Sequence, residues 1–243
     1  MNLGTFTRSL WPPAERRRAF TLLSWTLLCA LIAGVTLLAR AWHVAPPPPS
    51  WAPVYVERFD SPEVFKRAHI GAPDLGHARS ETAWQVKDGR LWGEGGHNAA
   101  LWLRDLTLPT QARIELSARA ETDTGDLKCE LFGDGQTHQS GMILINGGWH
   151  NTLRVIARRD EHGEDRKEDH RCGPKCAPKG VEQRWVIERR DGVISWYIDG
   201  ALSLRWAERA PLLGRRLAFN HWDAKVSYDD LVVYDLSSPS EAP

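Results

Sequence analysis

The sequence predicts an all-β protein: two antiparallel sheets packed as a sandwich and preceded by one transmembrane helix. Three observations carry that expectation. Short runs of alternating apolar and polar residues recur from Val54 to Leu236, and a period of two is that of a half-buried strand. Asp-Gly pairs at Asp88-Gly89, Asp191-Gly192 and Asp199-Gly200 each separate two such runs; a two-residue type I′ turn needs the positive φ that these residues tolerate. Ala19 to Ala39 holds no charged side chain at all.

That uncharged segment, AFTLLSWTLLCALIAGVTLLA, comes first in the chain. About 20 apolar residues cross a ~30 Å hydrocarbon core as a helix. It is apolar on every face, unlike the amphipathic helix of a soluble domain. Arg16, Arg17 and Arg18 precede it and only Arg40 follows. The positive-inside rule then puts residues 1–18 in the cytoplasm, makes 19–41 the membrane anchor, and places the rest in the periplasm or outside the cell. Ala39-Arg40-Ala41 also fits a small-x-small cleavage site, but a signal h-region runs ~7–15 residues, which favours an uncleaved anchor. The expected partner of this segment is the lipid bilayer. Residues 42–53 follow as a proline-rich linker, with Pro46 to Pro49 forming a stiff polyproline II spacer.

From 54 to 236 the strand pattern is continuous. Ile114, Leu116, Ala118 and Ala120 alternate with Arg113, Glu115, Ser117, Arg119 and Glu121. Leu127, Cys129 and Leu131 repeat the pattern, as do Leu153, Val155 and Ala157, and then Ile194, Trp196 and Ile198. About twelve short strands and no further helix are expected, which implies a two-sheet sandwich rather than a parallel α/β fold. Residues 237–243 read as a disordered tail. The chain is formally neutral, but residues 42–243 carry 26 basic and 30 acidic groups, a net of −4. Such a domain lacks the basic stripe that nucleic acid requires.

Trp84-Gln-Val-Lys-Asp-Gly-Arg-Leu-Trp92 resembles the opening of concanavalin A-like (laminin-G-like) jelly-roll domains. So do Trp185-Val-Ile-Glu188, Ile194-Ser-Trp-Tyr-Ile-Asp-Gly200 and the closing Val226-Ser-Tyr-Asp-Asp-Leu-Val-Val233. The spacing is similar to that of the 3-keto-disaccharide hydrolase-like and laminarinase-related branches, over residues 54–236. The resemblance implies two curved sheets with ligands, often glycans, bound on a concave face. Retaining glucanases of this superfamily carry Glu-x-Asp-x-x-Glu or a close variant on one strand, where alternation brings carboxyls to the ~5 Å that mechanism needs. No strand here supplies that pattern, so no catalytic residue is nominated and no cofactor is expected.

The candidate ligand contacts are aromatic and polar clusters in loops, where sites concentrate. Trp149 and His150 follow two glycines, and Asn220, His221 and Trp222 occupy a second turn. Glu115 and Arg119, with Lys128 and Glu130 as an extension of their outward row, would form the floor of a groove. Asp160 to Lys179 reads as a solvated loop with eleven charged side chains and no strand periodicity. Within it, Cys172 and Cys176 suit a local disulfide in an exported protein, while His162, His170 and the two cysteines as metal ligands match no standard zinc spacing. The expected function is carbohydrate binding by a membrane-anchored domain without catalysis. The alternatives are a glycoside hydrolase of the 3-keto-disaccharide hydrolase-like type and a protein-interaction domain.

Overall fold

The computed structural model describes residues 25–32, 43–50, 52–71, 83–170 and 172–237. The chain divides into two units, Met1–Val44 and Ala45–Pro243. In the first, residues 25–32 are helical and exposed. Among the described residues no helix is long and apolar enough to cross a membrane. The remainder of the expected anchor, 19–24 and 33–41, lies outside the described residues, as does the tail from 238. In the second unit the backbone N–H of Ala45, at the head of the proline-rich segment, donates to the Gly200 carbonyl at 2.8 Å.

Fifteen strands are described, against the twelve or so expected. The first five are β1 (Tyr55–Glu57), β2 (Ala68–Ile70), β3 (Ala83–Lys87), β4 (Arg90–Glu94) and β5 (Leu101–Leu103). Then come β6 (Ala112–Ala120), β7 (Leu127–Gly133), β8 (Met142–Gly147), β9 (Leu153–Arg158) and β10 (Arg166–Asp169). The last are β11 (Glu182–Arg190), β12 (Val193–Ile198), β13 (Ala201–Ala207), β14 (Arg216–Asn220) and β15 (Lys225–Asp235). One sheet runs β13-β12-β11-β6-β15-β4-β3 and the other β10-β9-β8-β7-β14-β5-β2, all antiparallel. β1 pairs with the C-terminal half of β15, whose N-terminal half pairs with β4. A bulge between Asp229 and Val232 separates the two halves, with Asp230 at φ 50°. The three Asp-Gly pairs close the β3–β4, β11–β12 and β12–β13 hairpins with φ of 49–52° on Asp and 68–79° on Gly, the left-handed pair that a type I′ turn requires.

The inter-sheet core takes Leu116 and Ile114 from β6, Leu127, Cys129 and Leu131 from β7, and Trp185, Trp196, Phe219 and Tyr228. Trp185 meets Trp196 edge to face, with ring centroids 4.7 Å apart; a buried tryptophan of this kind is worth about 3–5 kcal/mol over alanine. The Tyr228 hydroxyl accepts the Lys128 N–H at 2.9 Å and reaches the Asn220 carbonyl at 2.9 Å, tying β15 to β7 and β14 across the sandwich.

Two expectations change. Leu153, Val155 and Ala157 do not enter this core. Ile156 does, and its neighbours join Ile143 and Ile145 in a separate cluster on the outward side of the same sheet. The alternation was real but pointed the other way, because this outer face is itself covered. The segment from Asp160 is not wholly loop either. Arg166–Asp169 forms β10, paired in register with Arg154–Ala157 of β9. Four charged residues in a row show no alternation, so backbone pairing at a sheet edge makes the strand, not side-chain burial. Among the described residues no group of three His, Cys, Asp or Glu is placed to hold a metal ion.

Candidate ligand-binding site

Because Leu127, Cys129 and Leu131 enter the core, alternation turns Lys128 and Glu130 to the outer face of the seven-stranded sheet, with Asp126 beside Lys128 just before β7. All three are buried, with Lys128 only 2 % exposed. Burying charge is tolerated when it is paired and hydrogen-bonded. Glu130 Oε1 meets His138 Nδ1 at 2.6 Å and accepts from Asn220 Nδ2 at 2.7 Å. Lys128 Nζ donates to Asn98 Oδ1 at 2.8 Å and lies 3.0 Å from Glu161 Oε2 and 3.5 Å from Asp126 Oδ2. Asp126 Oδ2 also accepts the backbone N–H of Trp222. Two carboxylates thus lie four positions apart with an ammonium between them.

Burial pushes the Asp126 carboxyl up to about 6, with the Glu161 charge adding to the rise and Lys128 opposing it. Burial would also raise Glu161, but Lys128 and then His138 outweigh it and hold its carboxyl below the usual range. Lys128 is held above the usual ammonium value, since Asp126 and Glu161 overcome its own desolvation. His138 rises as well, because Glu130 outweighs burial.

Over this cluster opens a cleft of about 280 Å³. Thr124, Asp126 and Lys128 make its floor. Trp149 and His150 come from the turn after β8, Glu161 and His162 from the β9–β10 hairpin, and Trp222 and Asp223 from the loop after β14. Trp149 meets His162 edge to face at 5.5 Å, and the Arg166 guanidinium sits 5.5 Å from the Trp149 ring centre. Trp222 stacks on His97 with centroids 4.2 Å apart and planes within 7°. One face of each tryptophan is therefore committed to a neighbour.

The turn that presents Trp149 is left-handed throughout: φ is 49° at Trp149, 61° at His150 and 66° at Asn151. Non-glycine residues hold such conformations only when the surroundings over-determine them, at about 1–3 kcal/mol each. The Asn151 side chain supplies that constraint. Its Nδ2 donates to the carbonyls of Ala177 (2.7 Å) and Asp123 (3.1 Å), and its Oδ1 accepts the Ala177 N–H (2.8 Å). Cys176 N–H returns to the Asn151 carbonyl at 3.1 Å. Cys172 and Cys176 are joined by a disulfide, so the clamped segment is itself a closed loop. Gly125 leaves the room: a Cβ there would lie 2.7 Å from Asn151 Cγ.

Of the residues singled out in the sequence, Trp149, His150 and Trp222 line the cleft together. Asn220 and His221 are buried nearby, Asn220 against Glu130 and His221 against Trp84. Glu115 and Arg119 are elsewhere, on the outer face of the eight-stranded sheet. There Glu115 accepts from Arg113 at 2.6 Å and Arg184 at 2.8 Å, and Arg119 pairs with Glu121 at 2.6 Å. Lys128 and Glu130 therefore do not continue their row. Asp126, Glu161 and Asp223 were not singled out for ligand contact, and His162 was considered only as a metal ligand.

His221 carries a testable consequence. Both ring nitrogens are buried with no hydrogen-bond partner among the described residues, and burial lowers its pKa from 6.5 to about 3. The unfolded state therefore binds the proton first. The contribution of neutral His221 to stability is full above pH 6.5 and is lost as pH falls toward 3. His221→Phe is expected to melt at or above the parent temperature at pH 7.5, with the gap widening by several degrees at pH 4.5. Paired thermal melts at the two pH values check this, and an unchanged gap would refute it.

Neither the known protein-family models nor the curated protein sequences give a match to this chain. Solved structures do. The carbohydrate-binding module CBM66 from Bacillus subtilis superimposes with a TM-score of 0.53 at 11 % identity, over 64 % of this chain and 92 % of that one. A non-specific endo-β-1,3(4)-glucanase of family GH16 gives 0.57 at 13 % identity, over 79 % and 97 %. A Bacillus subtilis protein with a galectin-like fold gives 0.51 at 13 %, over 76 % and 96 %. At these identities the likeness is one of fold: the sandwich has a jelly-roll architecture similar to theirs.

Proposed function

We propose that this protein is a glycan-binding domain held at a membrane, and that its ligand enters the cleft between Trp149 and Trp222. The observation that carries the reading is the composition of that cleft: two aromatic rings beside a floor of fixed carboxylates. Sugar rings stack their C–H faces on such rings, while carboxylates accept hydroxyl hydrogen bonds. The likeness to a carbohydrate-binding module and a glucanase supports it. A glycan array with the parent and a Trp149→Ala, Trp222→Ala double variant tests it. Losing both rings is expected to weaken binding at least tenfold without lowering the melting temperature by more than a few degrees. Undiminished binding by the variant would move the site elsewhere.

Turnover is not expected. Asp126 and Glu161 have pKa values shifted in opposite directions, as an acid–base pair would. The Lys128 ammonium lies against both, however, at 3.5 and 3.0 Å, and Glu130 is closed off beneath His138 and Asn220. Product release from an oligosaccharide panel would overturn this part of the proposal.

The membrane attachment rests on the uncharged segment 19–39 and its arginine triplet. Protease added to spheroplasts is expected to digest the sandwich; full protection would reverse the proposed topology.

A further inference from the structure

The charge in the cleft narrows the ligand class. Its lining holds three carboxylates, Asp126, Glu161 and Asp223, against one ammonium, Lys128. That ammonium is engaged by Asn98 and Glu161. The nearby Arg166 is spent as well: it donates to the Glu161 carbonyl and pairs with Glu168 at 2.6 Å. Asp126 is only 8 % exposed. Its Oδ2 takes the Trp222 N–H and faces Lys128, whereas its Oδ1 has no hydrogen-bond partner among the described residues. Asp223, on the loop beside Trp222, is exposed. A desolvated carboxylate oxygen gains more from a charged N–H than from a neutral hydroxyl, and a tryptophan face attracts the same cation.

We infer that the cleft selects a glycan bearing a free, protonated amine, which Asp126 Oδ1 and Asp223 receive between the Trp149 and Trp222 rings. The inference rests on the glycan-binding reading above and names its ligand class: non-acetylated amino sugars rather than neutral or N-acetylated ones. His150 and His162 at the rim complete the titratable groups that face the amine. Because burial and Glu161 push Asp126 up to about 6, the bound cation favours its ionised form, and amine binding releases protons below neutral pH.

The test is calorimetry of the full-length chain at pH 6.5 with three tetrasaccharides of one linkage: glucosamine, N-acetylglucosamine and glucose. The glucosamine oligomer is expected to bind at least tenfold more tightly than the other two and to weaken steeply with added salt. Asp223→Asn, at an exposed position, and Asp126→Asn should each erase most of that preference. Equal affinity for all three oligomers would overturn the amine preference and leave glycan binding standing. Binding of none would overturn both. A preference that survives in both variants would overturn the assignment to this cleft.

Discussion

Lys128→Met is expected to cost about 3–5 kcal/mol at pH 7.5, lowering the melting temperature by about 10 °C for a domain of this size. The loss comes less from the missing attraction than from what remains. Glu161 and Asp126, both buried, would face each other without the ammonium that now lies 3.0 and 3.5 Å from them. Their pKa values would rise together, so the unfolded state would release protons that the folded variant retains at moderately acidic pH. The penalty should therefore shrink as pH falls from 7.5 to 4.5. Chemical and thermal denaturation at both values would show it. A pH-independent penalty would mean that Lys128 acts through packing alone.

Asn151→Ala should be nearly as damaging, at about 3–4 kcal/mol. Three hydrogen bonds made by one buried side chain would go, each worth ~1 kcal/mol, and alanine would have to hold a φ of 66°. Asn151→Gly separates the two contributions, since glycine accepts the angle without restoring the bonds; it should fall between the parent and the alanine variant. Both should weaken the proposed glycan binding, because Trp149 and His150 are aimed by this turn and touch the cleft. If stability falls while affinity stays, the turn contributes to the fold and not to the site.

The sandwich was readable because its signals are local. Asp88-Gly89, Asp191-Gly192 and Asp199-Gly200 dictate hairpins from two residues each, and the alternation of β6, β7 and β12 needs no neighbour to be seen. The site is built differently. Lys128 and Glu130 alternate cleanly, but polar residues on a strand read as a solvated face; His138 and Glu161, from later loops, bury them. Only the folded topology reveals that their row belongs to the other sheet from Glu115 and Arg119. Trp149 and Trp222 were recognisable as aromatic residues in loops, whereas the partners that define their cleft come from four stretches between Thr124 and Asp223. β10 was invisible because Arg166-Lys-Glu-Asp169 carries no apolar residue to mark a face.

The position of β15 bears on how the chain comes to be folded at all. It is the last of the described strands to be made, yet it lies inside its sheet, bonded to β6 on one side and to β4 and β1 on the other. β6 therefore has no neighbour on that side, and β1 and β4 have nothing to pair with there, until Asp235 is free of the ribosome. Pairings this distant along the chain are slow to form. On the proposed export behind an N-terminal anchor, the threading chain would hold no finished sandwich to obstruct its passage. It would depend on protection from aggregation for the whole of that interval.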